Sequence, residues 1–193
     1  MVEETLIDTL TRGHQFDGGP FALDVYRLLG IVLSDKQIAA LGDEATHHSP
    51  SVWQLQDRFR KAEIMRILIS SAVALRILLD QERDPRDKRF KIASNKQCGE
   101  LWENWDRTKR PSKGKSKPLT VRDACNKIIH ASNIVDDVVW PNRELNPDQV
   151  GMYIRPFVYL DGTHQGQDWR AKLSIIDFAQ RAAGLFLIYT PWE

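Results

Sequence analysis

The chain has 193 residues, 42% of them hydrophobic, enough to bury a core in one domain or two small ones. Lys plus Arg number 27 and Asp plus Glu 26, a formal net charge of +1 that excludes both a polycation and an acidic disordered tail. The two cysteines, Cys98 and Cys125, supply neither a disulfide framework nor a four-ligand zinc site.

At the N-terminus, MVEETLIDTLTRGHQ carries acidic residues where a secretory leader is basic, and no apolar run follows. Two short helices come next: Pro20 to Gly30, with proline at its start and glycine at its end, and Ser34 to about Ala45, with Ser34 as N-cap. From Ser51 to about Gln81 there is no proline or glycine, and apolar residues recur as Val52, Leu55, Phe59, Ala62, Met65, Leu68, Ala72, Leu75 and Leu79. That predicts one long helix, its core stripe backed by a face with Arg58, Arg60, Lys61, Arg66 and Arg76. Its most apolar stretch, Ile64 to Leu79, is interrupted by Arg66 and Arg76 and is too short to cross about 30 Å of hydrocarbon. A cytoplasmic protein with no membrane partner is expected.

After a charged connection broken by Pro85, Ser94 and Gln97 match a capping box and predict a helix through Trp105. The segment KRPSKGKSKP, residues 109–118, is a basic loop. Its GKS does not make a P-loop, because Lys109 stands where the first glycine is needed. Thr120 and Asp123 then cap a helix reading TVRDACNKIIHA. Ile134 to Trp140 and Met152 to Leu160 read as two strands of a hairpin or small sheet, and Asp168 to about Tyr189 as a C-terminal helix. The expected organisation is a short-helix segment over residues 1–50, then a mainly α domain over 51–193 with a β insertion at about 134–160.

The charge is unevenly spread. Residues 1–50 hold three basic and eight acidic side chains, residues 51–130 nineteen and ten, and residues 131–193 five and eight. The +9 of the middle third points to an anionic partner. Within it, Arg122, Asn126 and His130 stand four residues apart and share one helix face. Histidine as a residue type titrates near neutrality, an amide can hold a phosphate or hydroxyl, and a guanidinium can neutralise phosphoryl charge. Together they suffice for acid/base cleavage of a phosphoester without metal.

A long amphipathic helix, a basic connection and a helix reading RDACNKIIHA resemble the HEPN superfamily. Its members are mostly helical bundles, and many are metal-independent ribonucleases of toxin–antitoxin, phage-defence and RNA-processing systems. Their signature is an arginine, four to six residues, then histidine, often with Asn, Asp or His directly after the arginine. Asn126 and His130 match the polar position and the histidine; Cys125 stands where the arginine is usual. The resemblance implies a HEPN-like helical bundle with a small β-hairpin or sheet insertion before the C-terminal helix. It also implies a homodimer, an RNA substrate, a protein partner such as an antitoxin, and no cofactor or metal. It gives acid/base work to His130, phosphate or ribose positioning to Asn126, and leaves Arg122 as a replacement arginine. Lys109, Arg110, Lys113, Lys115 and Lys117 would contact RNA phosphates. Loss of the arginine equally suits a family member that binds without cutting.

The remaining polar groups read as structural. His47 and His48 lie near Asp43 and Glu44 with metal-like spacing but no third ligand, and His164 stands in the polar turn DGTHQGQ. Asp136 and Asp137, adjacent on a strand, face opposite sides. Trp102, Trp105, Trp140 and Trp169 read as core or interface anchors rather than base-stacking platforms.

Overall fold

The computed structural model describes residues 18–40, 51–80, 88–105, 116–140 and 152–189. Its elements run α1 (Gly18–Ala39), α2 (Ser51–Asp80), α3 (Lys88–Ser94), β1 (Gln97–Glu103), β2 (Lys117–Thr120), α4 (Val121–Ile129), β3 (Asn133–Val139), β4 (Tyr153–His164), β5 (Gln167–Ser174) and α5 (Ile175–Tyr189). The strands form one antiparallel sheet in the order β2-β1-β5-β4-β3. This corrects the expectation of a mainly α bundle with a small β insertion: a five-stranded antiparallel sheet is a layer of the fold in its own right, not an insertion.

Two segments read as helix are strands. Gln97–Glu103 is flanked by β2 and β5, and Ser94 ends α3 by donating to the Lys91 carbonyl instead of opening a new helix. Pairing on both sides outweighs the capping box, which is a local preference of about 1 kcal/mol. Gly99 is needed there, because a Cβ would lie 2.1 Å from the Lys172 carbonyl oxygen of β5. In β5, Trp169, Ala171 and Leu173 are buried and alternate with half-buried Asp168, Arg170 and Lys172, the period of two that a strand requires. Ser174 accepts from the Asp177 N–H and caps α5, so strand passes into helix with no linker.

The inner face of the sheet carries Leu101, Val158, Leu160, Trp169, Ala171 and Leu173. These join Leu28, Leu68, Leu75, Ala124, Ile128 and Phe178 from the helices in one hydrophobic cluster. Helices on one face of an antiparallel sheet make a two-layer α+β fold. On the other face the guanidinium of Arg170 lies 4.9 Å from the Trp105 ring centroid and Lys172 lies 4.2 Å from that of Phe157.

α1 is one helix where two were expected. Gly30, expected at its end, lies mid-helix, and Ser34 donates back to the Gly30 carbonyl at 2.7 Å rather than capping. The remainder of the expected second helix, 41–45, lies outside the described residues. Gly30 is exposed and an added Cβ would meet nothing within 4 Å. Gly30→Ala is therefore expected to stabilise the fold by about 0.5–1 kcal/mol, read as a raised midpoint in urea unfolding; an unchanged or lowered midpoint would contradict it.

The core stripe of α2 matches the expected one at Leu68, Ala72, Leu75 and Leu79 and departs from it in the first half of the helix. Ile64, Ile67, Leu68, Ala72, Leu75, Leu78 and Leu79 are buried, whereas Val52, Leu55 and Phe59 are exposed. Arg60, assigned above to the outer face, is buried instead, against Asp35 of α1 at 3.0 Å.

Candidate functional site

Helix α4 is short, and its start is fixed by Thr120, whose Oγ1 accepts from the Asp123 N–H at 3.2 Å and donates to the Asp123 carboxylate at 2.8 Å. Val121, Ala124, Cys125 and Ile128 face the core, which leaves Asp123, Asn126, Lys127 and His130 on the opposite side. These four line a cavity of about 670 Å³. Its other walls come from Leu101 and Glu103 of β1, Lys117 of β2, and Thr163, His164 and Trp169 of the β4–β5 hairpin. Two histidines, two lysines and an amide thus share one depression.

Hairpin geometry places His164. Gln165 and Gly166 both have positive φ, 51° and 77°, as a two-residue hairpin turn of the right twist demands. His164 pairs directly with Gln167 across the turn, and Thr163 donates to the Asp168 carboxylate at 2.7 Å one pair further in. Gly162 faces Trp169, where a Cβ would fall 2.2 Å from the indole, so the indole lies over the glycine and forms the buried floor of the cavity. The Lys127 ammonium stands 4.1 Å from the Trp169 ring centroid. Burial lowers its pKa, opposed by the Glu103 carboxylate. Glu103 itself is held below the usual carboxylate range, first by its hydrogen bond from Lys117 at 2.5 Å.

Of the residues expected to act, Asn126, His130 and Lys117 are brought together and Arg122 is not. The Arg122 guanidinium donates to the Leu79 carbonyl at 3.2 Å and pairs with Asp80 at 3.5 Å, so it closes the C-terminal end of α2. Cys125 is fully buried, and burial pushes its thiol up to about 12. A side chain at position 125 therefore points into the core and cannot reach the cavity.

Lys109, Arg110, Lys113 and Lys115 lie outside the described residues, as do His47 and His48. The segment 106–115 joins Trp105, two residues after Glu103, to Ser116, directly before Lys117; Glu103 and Lys117 are on the cavity wall. Asp136 pairs with Lys61 at 3.6 Å and Asp137 with Arg155 at 3.7 Å, separate partners that leave no carboxylate pair. Trp102 and Trp169 are buried, and Trp140 is exposed.

Sequence reasoning missed His164, Lys127, Glu103 and Thr163 as neighbours of His130. The available signal was Gln165-Gly166 between two alternating runs, which predicts a hairpin tip at His164. Among the described residues, no three His, Cys, Asp or Glu side chains gather as a metal would need, and no helix is long and apolar enough to cross a membrane. No family model, curated protein or solved structure compared with the chain gives a match.

Proposed function

We propose that the protein is an RNA-binding, metal-independent endoribonuclease acting through the cavity at the end of α4. The observation that carries this reading is the convergence of His130 and His164, from different elements, with Asn126 and Lys127 in one depression. Two imidazoles divide the work: one takes the proton from a ribose 2′-hydroxyl, whose oxygen attacks the adjacent phosphorus. The bond from phosphorus to the 5′-oxygen then breaks, and the other imidazole, entering protonated, supplies the proton to that leaving oxygen. The products are a 2′,3′-cyclic phosphate and a 5′-hydroxyl. Lys127 offsets charge on the non-bridging oxygens, and Asn126 holds the phosphate or ribose. The basic residues of segment 106–115 add affinity without sequence preference. This keeps the roles that the HEPN resemblance implies for His130 and Asn126 and gives none to Arg122.

One observation favours a second reading, binding without cutting: the residue offered as the replacement arginine is engaged at the end of α2. The two readings separate in one experiment. Single-stranded RNA pools are incubated with the protein in excess chelator, with end groups analysed and binding followed by fluorescence anisotropy at several salt concentrations. Cleavage to cyclic phosphate ends is expected. Salt-sensitive binding with no cleavage supports the second reading, and no binding at low salt overturns both.

A further inference from the structure

The helices pack on one face of the sheet, and the other face is not the plain polar surface that an outward-facing antiparallel sheet ordinarily shows. It carries Trp105, Phe157 and Tyr159, all half-buried, and each ring has a cation against it. The Arg170 guanidinium lies 4.9 Å from the Trp105 ring centroid and 5.7 Å from that of Tyr159, and the Lys172 ammonium lies 4.2 Å from that of Phe157. Strand register builds this array. Tyr159 pairs with Lys172 and Asp161 with Arg170, and the Trp105 N–H donates to the Asp168 carbonyl at 2.7 Å, which sets the end of β1 beside β5.

Charge on this face is layered. Asp161 accepts two hydrogen bonds from Arg170, at 2.6 and 2.8 Å, so the guanidinium is a fixed plane between two rings. Arg155 pairs with Asp137 at 3.7 Å. In both pairs the cation is the more exposed partner: Arg155 is 59% accessible against 20% for Asp137, and Arg170 28% against 13% for Asp161. Glu100, opposite Lys172 in the register, is an exposed acid on the same face. Outside that position a ligand meets rings, two guanidinium groups and an ammonium before it meets the paired carboxylates.

We propose that this face binds a single-stranded nucleic acid, with bases stacked on Phe157, Tyr159, Trp105 and the Arg170 plane and phosphates against Arg155 and Lys172. Phe157 and Tyr159 stand two residues apart on one strand, about 6.8 Å, so each takes its own base. Ring and guanidinium planes select unpaired bases, whose faces are free, over a duplex, whose bases are stacked on one another. A docked protein would centre on an uncharged apolar patch, whereas here a cation lies against each ring. Trp105 thereby takes the stacking role that its sequence context argues against. The α4 cavity lies on the other side of the sheet and stacking needs no 2′-hydroxyl, so a strand is held here whether or not one is cut there.

Labelled single-stranded DNA of about 12 nucleotides, which lacks the 2′-hydroxyl that the proposed cleavage requires, is titrated with the full chain and followed by fluorescence anisotropy. Binding is expected, with Tyr159→Ala and Phe157→Ala each weakening it on the order of 10-fold and Tyr159→Phe, which keeps the ring, staying within about 2-fold of wild type. Glu100→Lys, at an exposed position, is expected to tighten binding several-fold, a gain that no loss of folding imitates. A chain that binds no single strand at low salt overturns the proposal and leaves the face to a protein partner. Binding that neither alanine variant nor Glu100→Lys alters also overturns it, by placing the strand on another surface.

Discussion

Asp35→Ala is expected to destabilise the protein by about 3–5 kcal/mol, the cost of leaving a buried charge without its partner. Asp35 is fully buried between α1, α2 and the start of β4. Its carboxylate accepts from the Arg60 guanidinium at 3.0 Å, from the Ile154 N–H at 2.6 Å and from the Gln56 amide. Removing it leaves the Arg60 guanidinium with only Asp57 at 3.8 Å and the Met152 carbonyl at 3.5 Å, and takes the acceptor from the Ile154 N–H. For a domain of this size that loss lowers the melting temperature by roughly 10 °C. Arg60→Met, which strands the carboxylate instead, should fall in the same range, and Asp35→Asn between the two and wild type. A loss below about 1 kcal/mol for Asp35→Ala would show that water satisfies the site after all. The group of Asp24, Arg66 and Glu63 makes the contrast: its guanidinium is 49% exposed, and pairs of that kind contribute little.

The same carboxylate shows where sequence reasoning stops. Nothing local distinguishes Asp35 from a surface residue beside Ser34, because its partners lie 25 and 119 residues away. The long helix, the capped helix at Thr120 and the approximate positions of β3 and β4 were legible, since each carries its own periodicity or cap. β5 was not, because Trp169 and Leu173 are four residues apart, a spacing that fits one face of a helix and one face of a strand alike. Only Ala171 between them decides, and alanine is a weak signal. In α2 the ambiguity is of another kind. Two apolar stripes exist on one helix, and the regular stripe that begins at Val52, Leu55 and Phe59 faces outward, while the core takes a stripe that includes Arg60. The candidate site was half legible: Asn126 and His130 share a helix face by spacing alone, whereas His164 joins them only through the strand register of β4 and β5.

His130→Ala and His164→Ala are each expected to lower RNA cleavage by about 10²–10⁴-fold while leaving RNA affinity within a few fold, because a group that moves a proton acts in the transition state more than in the bound state. Both side chains are exposed, so neither variant should lose stability. The double variant should be little worse than either single one, since an acid and a base that serve one step fail together. A double variant that retains wild-type cleavage would place the chemistry elsewhere. Arg122→Ala is the decisive comparison, because its guanidinium is held by the Leu79 carbonyl and Asp80. It should lower the melting temperature and leave the rate of cleavage by the folded protein unchanged. A variant with unaltered melting and lost cleavage would return the arginine to the site and require α4 to turn toward the cavity when RNA binds.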